Sequence, residues 1–288
     1  MTQALLAQNP ACRAPVFWEM HRPVRFPDEP DDGSRRESAC RWIEDYYRRA
    51  PDEKAAHLMD VDSPDECLRL LQHNFTTLIF ATRYCVKTYP KWLVNADLRP
   101  AYRYHRQLLQ LQLHTRTGAP LVLKDPFHTW HLDSLFEVFP DACVVQLHRD
   151  LRQVLPSWLR LCAIAQGVSS DAVDPSRIRD QWLPLVEIGL ERMAMVRKIA
   201  PSRAFLDIAY SDLVRDPAGV IRRIDEHFGF SFPEEAYSRA RSWLARNPRH
   251  KHGKHRYSLE EFGLETGAIR ERFAGYYDRF GPMLDEAR

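Results

Sequence analysis

"CVVQLHRDLRQVLPSWLRL", residues 143–161, decides the fold. It opens on a compact apolar run of the kind that forms a buried strand in a parallel sheet. From Leu151 the apolar residues recur as Leu151, Val154, Leu155, Trp158, Leu159 and Cys162, the spacing of a helix with one face on a core. His148, Arg149 and Asp150 stand where strand becomes helix. Asp150 suits the N-cap, and Gln153 three residues on completes a capping-box pattern. Pro156 lies too deep for a first-turn proline and predicts a kink or loosened turn. Asp150, Gln153 and Ser157 project from one edge. A guanidinium at a strand end, free N–H groups at a helix start and a hydroxyl further along together suit a phosphate. On spacing alone a rival reading is equally open: Arg149 pairs with Asp150 or Asp133, and Ser157 is a neutral surface position.

Working outward, "APLVLKD" (119–125) and "AFLDIAY" (204–210) read as two further strands. Helical patterns cover 2–8, 37–49, Pro64–Cys85, Pro100–His114, His131–Val138 and 178–199, with another helix carrying Pro217 in its first turn. Apolar strands separated by helices predict a parallel sheet covered on both faces, an α/β architecture in one domain, 1–288. Ligands then bind beyond the carboxyl ends of the strands, where Arg149 and Asp212 fall.

The chain has 288 residues, 44% hydrophobic and 28% charged, which excludes a disordered or fibrous class. Net charge is +2, yet residues 236–259 contain no Asp or Glu. Arg239, Arg241, Arg246, Arg249, Lys251, Lys254 and Arg256 crowd there, a local field for a phosphate-bearing ligand or a nucleic-acid backbone. The six cysteines are widely spaced without a CxxC pair, pointing to a reducing, cytoplasmic setting. No run reaches the ~18 apolar residues of a membrane span. His128 and His131 lack a third ligand at useful spacing, so no metal is expected.

"FPDACVVQLHRDLRQVLPSWLRL" resembles the region of sulfotransferases that holds the 3′-phosphate of 3′-phosphoadenosine-5′-phosphosulfate (PAPS). "LVLKDPFHTWHLDSL" resembles the "LKSPxHxxHLD" segment of the bacterial sulfotransferase-like branch. "YSDLVRDP" (210–217) resembles its "YEDLVxDP", and "RYSLEEFGL" (256–264) its carboxyl-terminal motif. The resemblance implies a helix-rich, P-loop-NTPase-like parallel sheet flanked by helices. It also implies sulfuryl transfer to a hydroxyl or amine of a small metabolite, lipid or glycan. By that likeness Arg149 and Ser157 bind the 3′-phosphate and Tyr210 lies near the adenine. Lys251, Gly253, Lys254 and Arg256 resemble the loop that closes over that phosphate. His128 and Lys124 become the catalytic pair, with His131 as runner-up base. An acceptor hydroxyl must lose a proton, which suits a histidine of near-neutral pKa. Asp125 stands where many relatives carry serine and predicts a shifted pKa or a different local hydrogen bond.

The family's strand followed by "PxSGTT" is not found, and "LLAQNPACRAP" resembles the family's segment just after that loop. The expectation is a sheet without its first strand and little or no turnover from the chain as given. A late start codon, a gene remnant and a new task for an old fold are all open. The rival functions are a non-catalytic 3′-phosphoadenosine-binding protein and a nucleic-acid binder using 236–259, although no nucleic-acid partner is expected.

Overall fold

The strand, turn and helix read from 143–161 form as expected. The computed structural model describes residues 1–113, 119–248, 251 and 253–284; His114 and Arg249 lie outside them. The amino-terminal part is helical: α1 (Thr2–Leu6), α2 (Phe17–His21), α3 (Gly33–Arg49), α4 (Glu53–Ala56), α5 (Leu68–Leu71), α6 (Ile79–Arg83), α7 (Thr88–Asn95) and α8 (Arg99–Leu113). After α9 (Leu132–Val138) come β1 (Val144–His148), α10 (Leu151–Gly167) and α11 (Pro175–Ile199). Then follow β2 (Phe205–Ala209), α12 (Tyr210–Arg215), α13 (Pro217–Phe228) and α14 (Glu234–Arg246), with α15 (Thr266–Arg272) and α16 (Ala274–Phe280) last.

β1 and β2 run parallel, Val144 opposite Phe205 through to His148 opposite Ala209. The polar residues inside this ladder satisfy one another. His148 Nε2 lies 2.8 Å from Asp207 Oδ1, and Arg197 ion-pairs with the other Asp207 oxygen. α10 and α11 enclose a large core, where Leu155, Leu159 and Trp182 are fully buried and Trp182 meets Trp158 and Phe127. Removing a leucine side chain of this size from water stabilises by about 2 kcal/mol. The strand pair itself packs on two other clusters: Val144 and Phe205 lie against Leu132, Met193, Val196 and Phe280, and Ile208 joins Leu213, Val220, Ile221 and Ile224, sealed by Leu5 of α1.

Three expectations need correction. Residues 119–125 do not form a strand: they make one isolated parallel bridge, Arg13 with Leu121. Arg13 donates to the Pro120 carbonyl at 2.8 Å and Val122 donates to Arg13 at 2.9 Å. An apolar extended run becomes a strand only when a ladder partner lies beside it, and Pro120 has no N–H to give. The helix expected from Pro64 to Cys85 is broken into α5, a 3₁₀ turn at Gln72–Asn74 and α6. Phe75 takes the left-handed conformation (φ 58°), and Thr76 N–H returns to the Leu71 carbonyl at 3.2 Å, a Schellman-type stop. A side chain there costs about 1–2 kcal/mol, a local term that periodicity does not register. Finally, β1 is not covered on both faces, for Leu147 is 41% exposed.

Gly189 lets α11 approach Trp130, whose indole N–H is held by the Leu185 carbonyl at 2.7 Å. A Cβ at 189 would stand 2.6 Å from Trp130 Cε2. Because that ring is pinned, Gly189→Ala should destabilise the fold by about 1–3 kcal/mol. Urea unfolding monitored by tryptophan fluorescence checks this.

Candidate functional site

The turn after β1 is fixed by Asp150, which is almost fully buried. Its carboxylate accepts from the Arg152 amide at 2.8 Å and the Arg152 Nε at 2.9 Å, and from the Tyr277 hydroxyl at 2.9 Å. Burial alone would raise its pKa, but the bonds from Arg152 and Tyr277 outweigh that and hold it below the usual carboxylate range. Asp150 is therefore the N-cap as expected, but the reciprocal capping-box bond does not form. Gln153 turns to Arg149 instead: its Oε1 accepts from Arg149 Nε at 2.9 Å and Nη2 at 2.7 Å. The Arg149 guanidinium also lies over the Tyr210 ring, 4.6 Å from its centroid. Gln153 and Tyr210, not Asp150 or Asp133, are what the structure gives Arg149. A neutral amide and a ring face leave its positive charge uncompensated by them.

Ser157 sits further along α10, half-buried. The backbone there receives the basic segment, as His255 Nε2 donates to the Ser157 carbonyl at 3.1 Å. Gly253 has φ 110°, a backbone conformation that L side chains rarely adopt, and a Cβ on it would meet Ala55 of α4 at 3.2 Å. Lys254 and Arg256 are exposed and make no ion pair among the described residues. Lys251 is occupied differently: its ammonium donates to the Arg246 carbonyl at 3.1 Å, at the end of α14. Arg239 and Arg241 pair with Glu235 and Glu234, so part of the basic run is neutralised locally. Arg160 of α10 ion-pairs with Glu261 at 3.1 Å and Asp52 at 3.5 Å, tying the same three segments together.

Lys124 and His128 form a second group. Lys124 ion-pairs with the buried Glu66, which also lies 3.1 Å from His57 Nε2. Burial lowers the Lys124 pKa, and the nearby Asp65 and Asp125 partly restore it. His128 Nδ1 lies 2.8 Å from the Tyr102 hydroxyl, with the His105 ring 6.3 Å away. Burial first, and then repulsion from His105 and His131, push the His128 pKa down to about 3. His131 falls to about 4 by burial, and its buried Nε2 has no hydrogen-bond partner among the described residues. The near-neutral histidine expected from the sequence is thus absent: desolvation disfavours each imidazolium. Asp125 behaves in the opposite sense. Its Oδ1 accepts from the Phe127 amide at 2.9 Å, its buried Oδ2 has no hydrogen-bond partner among the described residues, and burial raises its pKa to about 7. Both outcomes suggested for Asp125, a shifted pKa and a local hydrogen bond, occur together.

The two groups converge on α4. Ala55 faces Gly253, and His57, two residues later, joins Glu66 and Lys124. Phe127 also stacks edge-on against Trp158, the neighbour of Ser157, at 5.8 Å. Sequence reasoning missed Gln153 as the holder of Arg149, and Glu66 and Tyr102 as the partners of Lys124 and His128. Among the described residues no three His, Cys, Asp or Glu side chains are grouped to hold a metal. No helix among them is long and apolar enough to cross a membrane.

The chain is similar to known sulfotransferases in sequence and in fold. The curated omega-hydroxy-beta-dihydromenaquinone-9 sulfotransferases Stf3 of Mycobacterium bovis and Mycobacterium tuberculosis are each 25% identical over 229 residues. That match covers 75% of this chain and 57% of each relative's length. Among solved structures, sulfotransferase STF1 from Mycobacterium tuberculosis superposes with a TM-score of 0.79 at 28% identity, covering 95% of this chain and 72% of that one. Sulfotransferase STF9 from Mycobacterium avium gives 0.82 at 26% identity, covering 96% and 72%. The fold is therefore the helix-rich, P-loop-like α/β fold of those enzymes. The sequence model of the sulfotransferase family matches residues 1–234, and the chain belongs to that family.

Proposed function

We propose that the protein transfers a sulfuryl group from PAPS to a hydroxyl or amine of a small metabolite, lipid or glycan in the cytoplasm. The observation that carries this reading is the seating of the 253–256 segment on α10 through His255 and Ser157, beside an Arg149 that its partners leave charged. In this reading Arg149 exchanges the Gln153 amide for the 3′-phosphate and Ser157 donates its hydroxyl. Tyr210 lies against the adenine, and Lys251, Gly253, Lys254 and Arg256 close over the phosphate. The donor supplies the sulfuryl group: the acceptor oxygen bonds to sulfur as the bridging S–O bond breaks, and the nucleotide leaves as 3′,5′-diphosphoadenosine.

Negative charge grows on the leaving phosphate, and a fixed cation there stabilises the transition state. Lys124 fills that role, held in place by Glu66. Proton removal falls to His128, and charge developing in the bound complex has to offset the burial that disfavours its imidazolium in the empty fold. For its Nε2 to accept a proton, Nδ1 must carry hydrogen, and the Tyr102 hydroxyl, which can accept as well as donate, is compatible with that tautomer.

Arg149→Ala should weaken binding of 3′,5′-diphosphoadenosine by roughly 1.5–3 kcal/mol, the scale of a charged hydrogen bond. Unchanged affinity by calorimetry would remove the 3′-phosphate assignment. A nucleic-acid surface would instead tolerate this change and show a steep loss of binding with salt.

A pH experiment tests the second group. Asp125 has a folded pKa of about 7, raised from 3.8, so the folded state holds its proton more tightly than the unfolded chain does. Its contribution is therefore present in full below pH 3.8 and is lost as pH rises to about 7. Asp125→Asn should flatten the fall in unfolding free energy across that window, measured by urea unfolding at a series of pH values. In turnover assays, proton removal by His128 predicts that the rate persists at pH 6 and falls at least ten-fold in His128→Asn. A rate limb near pH 7 that disappears in Asp125→Asn would transfer the role to Asp125.

A further inference from the structure

Residues 67–96 contain no Asp or Glu, and their structure presents aromatic rings to solvent. Phe75 is 66% exposed, Trp92 54% and Tyr84 47%. Four rings form a continuous chain: Phe75 stacks on Phe80 at 5.4 Å, Phe80 meets Tyr89 edge-on at 5.8 Å, and Tyr89 reaches Trp92 at 5.7 Å. The Tyr89 hydroxyl fixes the arrangement by donating to the Phe75 and Thr77 carbonyls, at 2.8 and 2.9 Å. Lys87 and Lys91 flank the rings, exposed and without an ion pair among the described residues.

Phe75 is the informative member. It occupies the left-handed position of the helix stop at φ 58°, where glycine is the ordinary choice. A bulky residue there is a backbone outlier, and this one recovers little by burial. The backbone strain serves to hold a phenyl ring outward. Clustered exposed aromatics mark an interaction surface. The occupant is specified by charge: aromatic rings with lysines alone at their edge suit an apolar layer bounded by anions. A protein partner has no such requirement for a flank free of carboxylates over thirty residues.

We propose that the Phe75–Phe80–Tyr89–Trp92 surface docks the protein on an anionic phospholipid bilayer, with Lys87 and Lys91 against the headgroups. This goes beyond the proposed transfer reaction and does not depend on it. Co-sedimentation of the full chain with phosphatidylcholine vesicles, with and without phosphatidylglycerol, tests it. Binding should require phosphatidylglycerol and weaken with added salt. Lys87→Gln and Lys91→Gln should each lower the partition coefficient about five-fold at low salt. The double substitution Phe75→Ser with Trp92→Ser should lower it at least ten-fold. Phe75→Gly guards against misfolding as an explanation: it relieves the backbone, so its melting temperature should hold or rise while vesicle binding falls. Absence of vesicle binding by the unaltered protein, or binding that survives the Phe75 and Trp92 changes, overturns the proposal. So does a dimer in lipid-free solution that the same substitutions dissociate, for a second copy would then cover the surface.

Discussion

Everything proposed for the nucleotide side of this molecule depends on one buried carboxylate. Asp150 ends β1, caps α10, takes Arg152 as its ion partner and receives the Tyr277 hydroxyl from the far end of the chain. With its acceptor sites committed in this way, it is not the partner of Arg149, whose guanidinium goes to Gln153 and Tyr210. A looser turn would let the two neighbouring residues neutralise each other, as neighbouring opposite charges commonly do. The charge that Arg149 keeps thus depends on a neighbouring residue with which it makes no ion pair among the described residues.

The second group obeys a different electrostatic logic. Around Asp125, His105, His128 and His131, burial acts without full compensation, and several polar atoms have no hydrogen-bond partner among the described residues. Desolvation favours the neutral form of every one of these groups, so the carboxyl rises in pKa while the imidazoles fall. Burial lowers the Lys124 pKa as well, yet Lys124 stands against a buried carboxylate and remains 45% exposed.

The sequence disclosed these features unevenly. The β1–α10 unit was legible because burial, period and cap all lie within nineteen consecutive residues and agree. Arg149 was legible by its place after β1 and Ser157 by its spacing along one edge of α10, whereas Tyr210 was singled out only by family resemblance. Residues 119–125 were apolar enough for a strand, yet strand formation depends on a neighbour, which composition does not encode. The break at Phe75 was hidden because its cause is a backbone angle at a residue that fits the helical pattern. Gln153 was assigned to the cap because its spacing allows that bond; the competing Arg149 contact is a matter of side-chain direction. The histidine pKa values were out of reach, since they depend on how many layers cover each ring rather than on its neighbours in the chain.

The carboxyl-terminal tyrosines carry one consequence for how the protein is made. Tyr277 reaches Asp150 and Tyr276 reaches the Arg149 carbonyl across 127 residues of sequence. Contacts this distant in the chain close late, after the loop between them has been ordered. On the ribosome, the turn that presents Arg149 emerges well before the residues that clamp it. The turn that presents Arg149 is therefore clamped only after α16 has emerged, and a chain cut short before α16 would leave a folded core with an unset turn.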